Sequence, residues 1–309
     1  MTKKTFKEIA IEWKLIKKGY IKKSTYSAYS LIIENHLLPT FANFTIIEEG
    51  DVQNFVLSKI NSGLSHKSTK DILVVLKMIL KYGTKQGFCN INSWDITLPN
   101  WKKQEEVAIL PIEAQRKIMK YTIQNFTFRN FGIYLCLSTG LRIGELCALQ
   151  WKDLNINTGL ISVNKTLNRI YIVDDNINKH TELIIDTPKT QNSIREIPMS
   201  NEIIKMIKSI RKIVNDEYYI LTNEPYPLEP RTYRTYYTKL MHELNIPKIK
   251  FHGLRHSFAT RCIESNCDYK TVSALLGHSN ISTTLNLYVH PNIEQKKKCI
   301  NKMFKALNK

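Results

Sequence analysis

An interruption limits how this chain can fold more than any other feature. Apolar residues recur at helical spacing as far as residue 89, but over residues 90–107 the repeat is lost, and Trp94, Pro99, Trp101, Lys102 and Lys103 stand in a polar, extended stretch. A chain that stops and restarts its amphipathic pattern builds two cores, and 309 residues are enough for both. The expectation is a helical domain over 1–95, a linker over 96–107 and a second domain over 108–309.

Four helices are expected ahead of the break. Phe6, Ile9, Ala10, Trp13 and Ile16 share a face that ends before Gly19; Tyr26, Tyr29, Ile33, Leu37 and Leu38 follow a Ser24 cap and close at Pro39. Val52, Phe55, Val56 and Ile60 form a third stripe, and Ile72, Val75, Leu76, Ile79, Leu80 and Tyr82 a fourth that opens near Ser65 and ends before Gly83. Their polar faces carry Lys17, Lys18, Lys22, Lys23, Lys67 and Lys70, which suit phosphate contacts as readily as a solvated surface.

Past Pro111, placed to start a helix, the apolar run 131–139 ends at Gly140, and a new helix opens with Arg142 near its first turn, where a helix N-terminus favours anions. An arginine in so apolar a setting is paired or functional, because burying it bare is costly, and Glu145 one turn on is its candidate partner. Strands are expected at 160–163, 183–186 and 194–199, with 168–181 as a long connection and Lys189 on a hairpin tip, near the further cations Lys179 and Arg195. Helices return over 201–250, where Arg231, Tyr233, Arg234 and Tyr237 read equally as a DNA-facing or a core-packing segment.

The last third concentrates the chemistry. His252 and Arg255, three apart, share a helix face and can hold one anion from two sides; His278 and Tyr288 follow. A phenol with a pKa of roughly 10 is a poor nucleophile until cations help it ionise. Singly, each of these residues is more often structural. His252 and His256 also have the spacing that grips zinc, although no glutamate lies between them and the chain has no Cys-x-x-Cys pair. Their conjunction carries the weight. The tail, residues 292–309, spaces Ile293, Ile300, Phe304 and Leu307 on one helical face, for docking on its own domain or on a neighbour.

Charge narrows the partner. A formal +18 and a pI near 9.5 favour a polyanion through counterion release. No apolar run approaches the roughly 18 residues of a membrane span, no secretory signal opens the chain, and the six scattered cysteines read as free thiols of a reducing cytoplasm.

The strings LSTGLRIGELCAL, HGLRH, LLGHSNISTT and LYVH resemble, in order and approximate spacing, the two signature boxes of the tyrosine recombinases, the phage-integrase family. The resemblance implies a mainly α fold with a small antiparallel β-sheet: an N-terminal four-helix, SAM-like core-binding domain, then a mixed α/β catalytic domain. It implies a site-specific DNA recombinase in which Tyr288 is the nucleophile and forms a 3′-phosphotyrosine link. Arg142 and Arg255 would clamp the non-bridging oxygens, with Glu145 beside Arg142; His252 would accept the phenol proton, His278 would donate to the phosphate, and Lys189 would protonate the leaving 5′ oxygen. The implied partners are double-stranded target sites, a homotetramer on synapsed DNA, and accessory DNA-bending or directionality proteins. No metal, cofactor or ATP is expected, since the phosphotyrosine keeps the bond energy, and no arm-binding module is expected before the bundle. A type IB topoisomerase and a non-cleaving DNA-binding regulator are the rival readings; the compact helical N-domain speaks against the first and the full set of six active-site residues against the second.

Overall fold

The computed structural model describes residues 3–89, 94–99, 108–172, 180–188, 191–288 and 293–307. The chain divides into two compact units, one of residues 1–105 with 169–182, the other of 106–168 with 183–309. It is mainly helical with two small sheets, and no described helix is long and apolar enough to cross a membrane.

In the first unit α1 (Phe6–Lys18) opens on a reciprocal cap: Thr5 Oγ1 accepts from the Glu8 N–H at 3.4 Å, and Glu8 Oε2 accepts from the Thr5 N–H at 2.7 Å. Its core stripe ends at Trp13, and Ile16 faces outward. α2 (Lys23–Ile32) starts from Lys22 without a side-chain cap, so Ser24 is not the cap expected of it. Nor does Pro39 close this helix. The chain passes through a π-helical turn, Ile33–Leu37, into α3 (Leu38–Phe41), whose first turn holds Pro39 where a missing N–H costs little. Continuing the helix brings Phe41 into the core, with ring centroids 6.0, 5.6 and 5.0 Å from those of Phe6, Phe44 and Phe55. α4 (Glu49–Asn61) and α5 (His66–Lys85) complete the bundle. α5 runs through Gly83, where a Cβ would stand 2.8 Å from Cys89 Sγ and 3.2 Å from Ile9; this glycine marks close packing, not a helix end. In the same unit the Tyr171 N–H donates to Ser27 Oγ at 3.0 Å.

The second unit is built round α7 (Phe128–Thr139), an apolar helix buried on nearly every side. α6 (Ile112–Gln124) precedes it and α8 (Ile143–Ala148) follows. β1 (Leu154–Asn155), β2 (Leu160–Val163) and β5 (Arg195–Pro198) form an antiparallel sheet in the order β1-β2-β5, with Leu160 opposite Pro198 and Val163 opposite Arg195. β3 (Thr166–Ile172) and β4 (His180–Asp186) form a separate two-stranded sheet. Two expectations are corrected here. The segment expected as a connection from residue 168 is strand up to Ile172, since Ile170, Tyr171 and Ile172 are strong strand formers. The strands on either side of Lys189, β4 and β5, lie in different sheets and do not pair as a hairpin; Lys189 and Lys179 themselves lie outside the described residues.

α9 (Asn201–Ile210), α10 (Pro230–Glu243), α11 (His252–Glu264), α12 (Tyr269–Leu276), α13 (Ile281–Tyr288) and α14 (Ile293–Leu307) complete the chain. α10 resolves its ambiguity residue by residue: Tyr233 and Tyr237 are buried in the core, while Arg231 and Arg234 are exposed.

Candidate active site

The site is assembled at the end of α12. This helix starts from Asp268, whose Oδ1 accepts the Thr271 N–H at 2.9 Å, and stops at Gly277, which takes the left-handed conformation (φ 63°) that favours glycine. An α-helix leaves its last carbonyls without partners of its own. Here they are all accounted for. The turn satisfies two of them, Gly277 N–H donating to Ala274 O at 2.9 Å and His278 N–H to Ser273 O at 3.1 Å. Arginines from three separate elements take the next three: Arg195 Nε donates to Leu275 O at 2.6 Å, Arg255 Nη2 to Leu276 O at 2.6 Å and Arg142 Nη2 to Gly277 O at 3.1 Å. The negative end of a helix dipole favours cations in this place.

Arg142 arrives there from the turn after α7. Gly140 ends α7 with φ 67°, and a Cβ on it would meet Phe258 at 2.5 Å and Leu276 at 2.8 Å. Its carbonyl accepts from Arg255 Nη1 at 2.8 Å, so the turn that delivers one arginine is fastened to another. The N-terminus of α8 does not lie open for an anion as expected, because Glu145 occupies it: Oε2 accepts the Arg142 N–H at 2.9 Å and Oε1 accepts Arg142 Nη1 at 2.7 Å. Glu145 also receives Arg195, Nη1 to Oε1 at 3.1 Å and Nη2 to Oε2 at 3.0 Å. Burial alone would raise its carboxyl pKa, but the hydrogen bonds and charge of Arg195, then the charge of Arg142, outweigh it and hold the group below the usual range.

The histidines surround the same arginines. His252 opens α11 and is exposed; its pKa is nevertheless lowered, by desolvation first and then by the charges of Arg255 and Arg142. The His256 ring meets it edge to face, centroids 4.5 Å apart, and burial followed by His252 and Arg255 pushes His256 down to about 4. His278 Nδ1 shares a hydrogen bond of 2.9 Å with Oγ1 of the buried Thr284 on α13. Burial, then Arg255, Arg142 and Arg195, push His278 down to about 4. Tyr288 is the last residue of α13, one turn beyond Thr284. Cations and neutral imidazoles gathered in this way can bind a phosphodiester and stabilise charge that grows on its oxygens.

Sequence reasoning misses Thr284, and it gives two other contributors different roles. There His256 reads only as a metal-spaced partner of His252, and Arg195 only as a further cation near Lys189. Arg195 leaves a signal of its own: it shares the inward face of β5 with the buried Ile197, and a cation there needs a partner. Its side chain is 6% exposed and bonded to Glu145, Leu275 and Ser193, which speaks against it as a proton donor in place of Lys189. Of the candidate DNA-contact lysines, Lys18, Lys23, Lys67 and Lys70 are exposed, and Lys17 and Lys22 are half-buried.

A pH prediction follows from the imidazoles. Groups whose folded pKa lies below the ordinary value of 6.5 take up protons more readily when the chain unfolds, so their contribution to stability is complete above about pH 6.5 and is lost as the pH falls toward about 4. The melting temperature of the second unit should fall across that window, and His278→Gln should flatten the fall. An identical slope in the variant would show that His278 is not held neutral.

Comparison with known proteins gives concordant matches. Residues 102–295 match the model of the phage integrase family, and residues 5–59 that of the phage integrase N-terminal SAM-like domain. A XerC-like tyrosine recombinase of Caldanaerobacter subterraneus subsp. tengcongensis is 29% identical over 273 residues, 82% of this chain and 69% of that protein. The ICEBs1 integrase of Bacillus subtilis is 25% identical over 297 residues, 91% of this chain and 78% of that protein. Among solved structures, the Tn1549 transposon integrase in complex with transposon right end DNA has the same fold, with a TM-score of 0.78 at 22% identity over 97% of this chain and 99% of that one.

Proposed function

The chain belongs to the phage integrase family of tyrosine recombinases, and on that premise we propose that it cuts and rejoins double-stranded DNA at specific sites through Tyr288. The Tyr288 oxygen attacks the scissile phosphorus, the bond to the 5′ oxygen breaks, and a 3′-phosphotyrosine link and a free 5′-hydroxyl result. Arg142 and Arg255 hold the non-bridging oxygens. His252, neutral at pH 7, takes the phenol proton. Thr284 orients His278 so that its other ring nitrogen donates to the phosphate. Lys189 protonates the departing oxygen. Attack by a partner strand's hydroxyl then reverses the chemistry, with no external energy source.

One observation carries this reading: Arg142, Arg255 and His278 meet at the end of α12, His252 feels the charges of both arginines, and the next helix ends on Tyr288. Strand exchange between paired sites, run beside plasmid relaxation, tests it. Relaxation without exchange would place the chain with the topoisomerases, and failure to trap any covalent adduct would leave only DNA binding.

The lysine has its own test. A 5′-bridging sulfur leaves as a thiolate, whose thiol pKa of roughly 8.5 is far below that of an alcohol, so it needs no general acid. Lys189→Ala should cleave the ordinary phosphodiester at least about a hundredfold more slowly, yet come within about threefold of the wild type on the sulfur-bridged substrate. Equal losses on both would move the proton donor elsewhere.

Assembly as a tetramer on two synapsed sites follows from the need to exchange strands between duplexes. α14 supports a role in it: Ile300, Met303, Phe304 and Leu307 are 52, 47, 55 and 73% exposed, an apolar stripe that its own unit leaves uncovered. Removing residues 293–309 should abolish strand exchange and weaken cooperative binding to paired sites, while half-site binding stays within about threefold. Equal loss of half-site binding would assign the helix to the fold of its own protomer.

A further inference from the structure

We propose that Arg195 is a positioning residue for DNA cleavage, acting through Glu145 to hold the guanidinium of Arg142 where the scissile phosphate needs it. The inference rests on the reading of Arg142 as a phosphate clamp.

Arg142 is a long side chain that is 34% exposed, and alone it would lose much of its binding energy to rotamer freedom. Glu145 restrains it through one hydrogen bond from Nη1 and holds its backbone N–H through another, but a carboxylate restrains only as well as it is itself restrained. Arg195 supplies that restraint. Its fork meets both Glu145 oxygens at 3.1 and 3.0 Å, while Nε is fixed on Leu275 O at 2.6 Å and Nη1 on Ser193 O at 3.1 Å. The bond to Leu275 ties this pair to the same helix end that receives Arg142 two carbonyls later.

Charge points the same way. A buried Glu145 paired with Arg142 alone would cancel its positive charge and leave little to offer a phosphate. With Arg195 the three groups sum to one positive charge, the carboxylate is shared between two guanidiniums, and the more exposed of the two, Arg142, keeps the solvent-accessible surface that a phosphate would need. Lysine cannot take over this role, because a point-like ammonium cannot span two carboxylate oxygens and a backbone carbonyl together.

The test is single-turnover adduct formation on suicide-nicked duplex, with either the ordinary phosphodiester or a methylphosphonate at the scissile position. In the methylphosphonate an uncharged methyl replaces one non-bridging oxygen, so less charge needs stabilising. Arg195→Ala and Arg195→Lys should each form adduct at least about tenfold more slowly than wild type on the phosphodiester, and within about threefold of it on the methylphosphonate. The same relief should be seen for Arg142→Ala, and the double variant Arg142→Ala with Arg195→Ala should be no slower than Arg142→Ala alone. Arg195→Lys keeps a cation in place and serves if Arg195→Ala does not fold. A deficit equal on both substrates, or one that multiplies with that of Arg142→Ala, overturns the proposal and leaves Arg195 as a strut of the fold. If Arg142→Ala itself shows no relief, it is the phosphate-clamp reading that fails, and the role of Arg195 falls with it.

Discussion

Tyr288→Phe should bind its duplex sites as tightly as the wild type, melt at the same temperature and form no covalent adduct at all. The substitution removes one oxygen and almost no volume from the end of α13, so packing has little to lose. The chemistry loses its nucleophile, and no amount of charge stabilisation replaces it. Suicide-nicked substrate, in which the cut strand diffuses away and traps the linked protein, gives a yes-or-no answer on a denaturing gel. An adduct formed by the Phe variant would mean that one of the other tyrosines attacks.

Arg255→Ala should fail in two ways at once, and the pairing is its signature. Two buried carbonyls, Gly140 O and Leu276 O, would lose their donors, and a large side chain would leave a void next to α7. Unsatisfied acceptors of this kind cost about 1–3 kcal/mol each, so a loss of ~2–6 kcal/mol is expected in the second unit. That corresponds to a fall of roughly 5–20 °C in its melting temperature. Cleavage by the protein that remains folded should still be slower by about a thousandfold, because a charged donor to the non-bridging oxygens is gone. Calorimetry and single-turnover rates measured at a temperature where the variant is folded separate the two losses. An unchanged melting temperature would contradict the carbonyl bonds, and a normal rate in the folded fraction would remove Arg255 from the phosphate.

Much of this was legible in the sequence. The helical stripes of the first unit were written in Phe6, Val52, Ile72 and their neighbours, because burial selects side chains at a fixed spacing. Arg142 could be singled out because a cation in apolar helical context demands an explanation, and His252, Arg255 and His278 because their order and spacing resemble the boxes of a known family. Pro39 misled, since a proline that ends one helix and a proline inside the first turn of the next look alike without the π-helical turn before it. β3 was missed because Asn168 and Arg169 interrupt its pattern on the page, though not in space. Least legible were the bonds at the end of α12. Their acceptors are backbone carbonyls, which every residue carries, so only Gly277 leaves a mark in the sequence.

The end of α12 makes the spacing of the site's cations a matter of measurement more than of chemistry. Three guanidiniums from three elements rest on successive carbonyls, so the separation of the first two acceptors, Leu275 O and Leu276 O, is inherited from the helix repeat, with its rise of about 1.5 Å and its rotation of roughly 100° per residue, and the direction of the third is set by the left-handed turn at Gly277. They have few independent degrees of freedom. Adding or deleting one residue between Asp268 and Gly277 would swing all three acceptors out of register together, without altering any side chain that meets the phosphate.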